Sequence, residues 1–209
     1  MNTKTIGWLI TVFPIIGIMT WIFSGLPQEP PGSFEGGYPA YVAELAKLNS
    51  DSVHIMFGLG IVSFGIANAA FLGLKGQVTK AGKSTYASIG GILILVGFAG
   101  QIIEPGLFSA ATKLSAAMSS EAIAMLTLAT TAGGFATAIY SLGFVLLGYS
   151  LYQSKLIHVI SSYALMLAGV IGLLGGILFY DEALITAYYA SFVITSVAIG
   201  IELIRTGKD

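Results

Sequence analysis

Few residues in this chain could do chemistry, and four of them fall into two pairs. Asp51 and His54 stand three residues apart, as do Gln101 and Glu104, and that spacing puts two side chains on one face of a helix. A carboxylate beside an imidazole suits zinc or another divalent cation, and a carboxylate that orients a histidine is a recurrent supporting pair. Asn68 sits alone inside an apolar stretch, where a polar group is costly and often functional. Each has a plainer reading. Acids at helix starts cap the helix and complement its dipole, and a lone asparagine can bridge two helices by a hydrogen bond. No metal or other cofactor is therefore expected, and no catalytic residue can be assigned. Asp51, His54, Asn68, Gln101 and Glu104 are the candidates for a polar cluster or ligand site, with Asp51, His54 and Glu104 as the set that a metal would use.

Other chemistries are excluded more simply. There is no cysteine, which removes disulfides, thiolate metal sites, iron–sulfur clusters and thiol nucleophiles. The two histidines, His54 and His158, are expected near opposite ends of the molecule, so they cannot both ligate one haem. No lysine falls in a span interior, as a retinal Schiff base would need. Phosphate-binding glycine loops, a serine nucleophile elbow and the HExxH helix are missing. A net charge of −1 gives no electrostatic case for nucleic acid.

The elements that must position these residues are membrane spans. Of 209 residues, 56% are apolar and 9% charged, against about 25% charged in a soluble domain. Lipid must be the solvent for most of such a surface. A crossing takes about 20 apolar residues, and six candidates read as residues 6–23, 53–74, 86–103, 122–151, 156–180 and 184–204. The third should stop at Glu104-Pro105. Asp181-Glu182 leaves room only for a tight turn, so the last two spans should be antiparallel neighbours. The first span, with Lys4 before it, has the outline of a signal peptide, but no small-x-small cleavage site follows. The expected fold is an all-α membrane protein, one integral membrane domain over residues 1–209, built as a six-transmembrane-helix bundle.

Direction follows from the loops, since basic residues stay cytoplasmic. With the N-terminus inside, seven basic residues (Lys4, Lys75, Lys80, Lys83, Lys155, Arg205 and Lys208) fall inside and two (Lys47 and Lys113) outside. The expectation is a multi-pass protein of the plasma (cell) membrane with both termini cytoplasmic. The outer connections are the longer ones. The first opens with Pro27, Pro30 and Pro31, and then Tyr38, Tyr41, Val42, Leu45 and Leu48 recur at helical spacing. In the second, Leu107, Phe108, Ala111, Leu114 and Met118 form a stripe opposed by Ser109, Lys113 and Ser119. Both read as short amphipathic outer segments lying at the interface. Spans one and two, and spans three and four, thus share a layout without sharing a residue-level repeat.

Hydrophobicity cannot drive helix against helix in lipid, whereas close packing through small residues can. The chain has 27 glycines. Four-residue ridges run through Ala164, Ala168, Gly172 and Gly176 on the fifth span and through Ala129, Gly133, Thr137 and Ser141 on the fourth. Gly65, Ala69 and Gly73 on the second, and Ala187, Ser191 and Thr195 on the sixth, suggest the same. These ridges are expected to pack within one molecule rather than between two.

Residues 146–176, LLGYSLYQSKLIHVISSYALMLAGVIGLLGG, resemble a stretch in a widespread family of six-helix prokaryotic membrane proteins known only as a domain of unknown function. There a helix ends in a short basic turn of the type Ser-x-Leu-Ile-Pro, and a glycine-rich helix follows. Ser154, Lys155, Leu156 and Ile157 fit that turn, with His158 where the family usually has proline. The resemblance implies six helices and a long first outer loop, and it brings no activity. The function expected from the residues is non-enzymatic: binding of an apolar or lipid-like ligand, or of other membrane subunits, within the lipid bilayer. The alternatives are a membrane enzyme or metal site built on the outer polar cluster, and a small-molecule transporter, which would usually show a broken helix or a midplane charge.

Overall fold

The computed structural model describes residues 2–82, 84–178, 180 and 184–207. Among them it has eight helices and no strand: α1 Thr3–Phe23, α2 Gly37–Leu45, α3 Ser50–Lys80, α4 Ser84–Gln101, α5 Ile103–Leu114, α6 Ser119–Ser154, α7 Val159–Leu178 and α8 Leu184–Thr206. Six segments are long and apolar enough to cross a membrane, with α4 and α5 together forming the third. The protein is an all-α, multi-pass bundle. The turn expected at Asp181-Glu182, like Lys83 and Lys208, lies outside the described residues.

The long helices form a ring. Among the described residues each packs against two neighbours in the order α1, α3, α4, α6, α7, α8 and back to α1, while across the middle α3 approaches α6 and the ring of Phe192 of α8 meets Phe71 of α3 and Phe144 of α6. The first and last described residues lie at one end of the ring, where Gly207 abuts Thr3 and Lys4. At the other end α2 and α5 lie over the ring, α2 on α5 and α6, and α5 on α3, α4 and α6. Asn49 starts α3 by accepting the Asp51 and Ser52 N–H groups at 3.0 and 3.1 Å, as an N-cap asparagine should.

Small residues set the closest approaches. α6 is held from both sides. A methyl on Gly90 of α4 would stand 2.7 Å from the Gly143 carbonyl oxygen, and one on Gly134 would stand 2.7 Å from the Gly176 oxygen of α7. Gly172 is filled on its α6 side by Ser141 and on its α8 side by the ring of Tyr188. The ridges read on the fourth and fifth spans thus meet at Ser141 and Gly172, and Gly176 meets Gly134 and Ala138, whereas Gly133 faces Glu104 and Tyr180 and Thr137 accepts from Gln101. Two others are corrected. Ala69 and Ala187 are exposed, and α3 instead turns Gly60, Ser63, Ala67 and Ala70 inward. Gly60 meets Thr20, and the ring of Phe64 covers Gly17. Nothing in a one-dimensional spacing of small residues says which of two such faces will meet a helix and which will meet lipid.

Three further expectations change. The helices run past the apolar stretches, so the second is Ser50–Lys80 and the fourth Ser119–Ser154; their last turns are polar residues that hydropathy leaves out. The third span does not stop at Glu104-Pro105. Ile102 keeps helical angles (φ −66°, ψ −27°), so the chain continues in helical conformation into α5. Pro105 supplies no N–H for the preceding turn, yet a proline is tolerated in the first turn of the new helix. Finally, Met118 is exposed while Ser109 is buried. The rest of the stripe is as expected: Phe108 and Ala111 are buried and join Tyr41, Val42 and Leu45 of α2 in one apolar cluster, while Lys113 and Ser119 are exposed. In α2, Tyr41, Val42 and Leu45 are buried as their spacing indicated.

Candidate functional site

The ring is filled unevenly. Towards the chain-terminal end its middle is packed with rings: Phe144 stacks edge-on against Tyr140 and Phe71 at centroid distances of 4.7 and 4.9 Å and lies 5.0 Å from Phe192. At the capped end Trp21, Phe57, Tyr41 and Phe108 form a second aromatic set, with centroids 5.6 to 6.4 Å apart. Between these two sets lies a cavity of about 500 Å³, within the roughly 300–1,000 Å³ usual for small-molecule sites. Tyr140 and Phe192 contribute from the first set and Tyr41, Phe57 and Phe108 from the second.

Its side walls come from α1 and α8. Below Pro14 these two helices are in close contact, with Gly7 on Gly200 and Ile204. Beyond Pro14 the close approach of α1 is to α3, through Gly17 and Thr20. Ile18 and Ile22 of α1 and Ala190 and Ile194 of α8 line the cavity. Proline removes one helix hydrogen bond and clashes with the preceding turn, a common cause of a change in helix direction. Ile22 and Ile194 are also exposed on the outer surface of the bundle.

One part of the wall is polar. Glu104, at the start of α5, accepts a hydrogen bond from the Tyr180 hydroxyl at 2.5 Å. Tyr180 in turn lies 3.2 Å from the Tyr189 hydroxyl of α8. Tyr189 faces Thr137 of α6, whose hydroxyl accepts from the Gln101 amide at 3.0 Å. Four elements therefore share one chain of hydrogen-bonding groups. Glu104, Gln101, Tyr180 and Tyr189 all line the cavity. Gly133 holds the carboxylate in place, because any side chain there would overlap Glu104 and the Tyr180 ring.

The structure divides the five candidates read from sequence. Gln101 and Glu104 do share a face, on the cavity wall. Asp51 and His54 do not join them. Asp51 is exposed in the first turn of α3, and His54 pairs through Nδ1 with Ser109 of α5 at 2.9 Å. The described residues contain no group of three His, Asp or Glu side chains that could hold a metal ion. Asp51, His54 and Glu104 consequently do not form the ligand set considered above. Asn68 makes a hydrogen bond between helices: its Oδ1 accepts from the buried Tyr140 hydroxyl of α6 at 2.6 Å, while its Nδ2 has no partner among the described residues. His158 lies at the start of α7, at the chain-terminal end, away from His54.

Two features were not anticipated. Tyr180 and Tyr189 belong to the site, although nothing in their local pattern separates them from ordinary interfacial tyrosines. Glu202, near the end of α8, accepts hydrogen bonds from the His158 backbone N–H and, at 2.7 Å, from the Ser161 hydroxyl. A carboxylate at a helix N-terminus is stabilised by the free N–H groups and by the dipole, so Glu202 ties α8 to the start of α7.

Replacing Tyr180 with phenylalanine tests the polar chain as a structural element. A hydrogen bond to a charged acceptor contributes roughly 1.5–3 kcal/mol, and the partial exposure of Tyr180 places the expected loss near the lower end. Thermal unfolding in detergent should fall by a few degrees, and an unchanged midpoint would remove Tyr180 from the chain. No family model matches the sequence, and no curated protein or solved structure shows significant similarity to it, so what the protein does has to be read from this cavity and the polar chain on its wall.

Proposed function

We propose that the protein binds an apolar, lipid-like molecule in the cavity between the two aromatic sets. The observation that carries this reading is the cavity itself: about 500 Å³ of space inside the ring, lined mainly by apolar side chains, with a few convergent polar groups at one place. That combination is the usual character of a small-molecule site. The side walls of α1 and α8 favour entry from the bilayer, since Ile22 and Ile194 belong both to the cavity and to the lipid-facing surface. The seven-to-two division of basic residues supports an arrangement in the cell membrane with both termini cytoplasmic, which puts α2, α5 and the cavity in the outer half.

Two tryptophans make the test direct. Trp21 lines the cavity, whereas Trp8 is exposed on α1. In a Trp8→Phe background, a brominated long-chain alcohol should quench Trp21 fluorescence saturably as its mole fraction in a nanodisc rises. Ala190 lines the cavity from α8, and an Ala190→Phe substitution should weaken that quenching at least about tenfold by filling the space. Quenching that never saturates, or that ignores Ala190→Phe, would count against the reading.

A further inference from the structure

We propose that the cavity takes an aromatic ring system in preference to a flexible alkyl chain. This rests on the binding reading above and names the class of ligand. Ten of the 29 described residues that line the cavity are aromatic, against 11% of the whole chain. Packing of the two aromatic sets among themselves does not account for all of them. Phe64 of α3 and Phe98 of α4 belong to neither set and still line the cavity. For a ligand that arrives from the bilayer, burial of apolar area gives almost no selection, because lipid tails are as apolar as the wall. Selection must come from contacts that lipid does not offer. Offset or edge-on contact between rings is such a contact, since it contributes beyond the area it buries.

The rest of the wall is stiff. Seven further lining residues are isoleucine or valine and three are threonine, β-branched side chains that are held to few χ1 positions. The chain has 25 leucines and six methionines, yet among the described residues none of them lines the cavity. Flexible, methionine-rich walls repack around many ligands, and this wall lacks the side chains for that. A space of fixed shape admits a rigid ring at little entropic cost. An alkyl chain must instead freeze its torsions to enter, and it gives up the freedom it has among lipid tails.

The test uses the Trp8→Phe protein in phosphatidylcholine nanodiscs and three twelve-carbon probes that carry one bromine each: para-bromobiphenyl, its saturated counterpart bromobicyclohexyl, and bromododecane. Trp21 is excited at the red edge of its absorption, where the biphenyl is transparent. The biphenyl should half-saturate Trp21 quenching at a mole fraction about tenfold below the dodecane, the scale of two ring-to-ring contacts. The bicyclohexyl should fall between them, more than about threefold weaker than the biphenyl. Phe98→Leu removes one ring from the wall and should cut the preference for biphenyl over dodecane by about threefold. If that variant does not fold, the ranking on the unsubstituted Phe98 protein still decides. A dodecane or bicyclohexyl that comes within about threefold of the biphenyl overturns the proposal while leaving the cavity as a binding site. The proposal also falls alone if the brominated long-chain alcohol saturates and none of these three probes does. Failure of the alcohol and all three probes to quench saturably overturns the binding reading instead.

Discussion

Substituting leucine for Gly172 is expected to leave little folded protein in detergent. The position is a close meeting point of three helices. On α7 it faces Ser141 of α6 and the ring of Tyr188 of α8, and the first carbon of any side chain would already overlap both. Ser141 and Tyr188 are themselves buried, Tyr188 at 1% exposure, so neither has free space to move into. Overpacking usually costs about 1–3 kcal/mol; here two rigid neighbours are displaced by four added carbons, and the expected loss exceeds about 3 kcal/mol. Gly172→Ala should cost less, roughly 1–3 kcal/mol, because only one carbon must be accommodated. Size-exclusion profiles and thermal unfolding in detergent measure both. A leucine variant that unfolds at the native temperature would mean that α7 does not meet α6 and α8 along this face.

The second large effect is expected at Phe144. It is 1% exposed and touches the rings of Phe71, Tyr140 and Phe192 together. In soluble cores a buried Phe→Ala change costs about 3–5 kcal/mol, part from transfer out of water and part from the space left behind. In a bilayer the transfer part largely vanishes, since lipid is as apolar as the core. What remains is lost packing, so Phe144→Ala should cost about 2–3 kcal/mol and lower the unfolding midpoint by roughly 5–10 °C. Phe144→Leu should recover much of this. The same change should also loosen the cavity, because Tyr140 and Phe192, which line it, lean on Phe144. A fall in stability without any change in Trp21 quenching would show that these two rings hold their places unaided.

The residues differ in how far their roles could be read without coordinates. Gly172 could be read: a small residue every fourth position on an apolar helix has one common use in lipid. Phe144 could be placed in a span but not at the centre of a ring cluster, since its partners come from α3, α6 and α8. Ser109 was misassigned to the polar side of its helix, because a serine looks polar until its partner is known, and His54 is 55 residues away. Ala69 and Ala187 show the converse error, small residues that face lipid instead of a helix. Gln101 and Glu104 were identified as neighbours by spacing alone, but Tyr180, 76 residues beyond Glu104, was not.

By itself the sequence determined that this is a bundle of six membrane-crossing helices, with close-packed fourth and fifth spans and an amphipathic α2. Those properties are local: hydropathy over about 20 residues, and the repeat of small or apolar side chains along one helix, are written in consecutive residues. Only the tertiary structure decided that the helices close into a ring, that α5 turns Ser109 inward, and that Glu104 meets Tyr180. Above all it decided the cavity. An empty space is a property of where helices fail to fill the ring, here between two aromatic sets and lined by α1, α3, α4, α5, α6 and α8. No single stretch of residues encodes that gap.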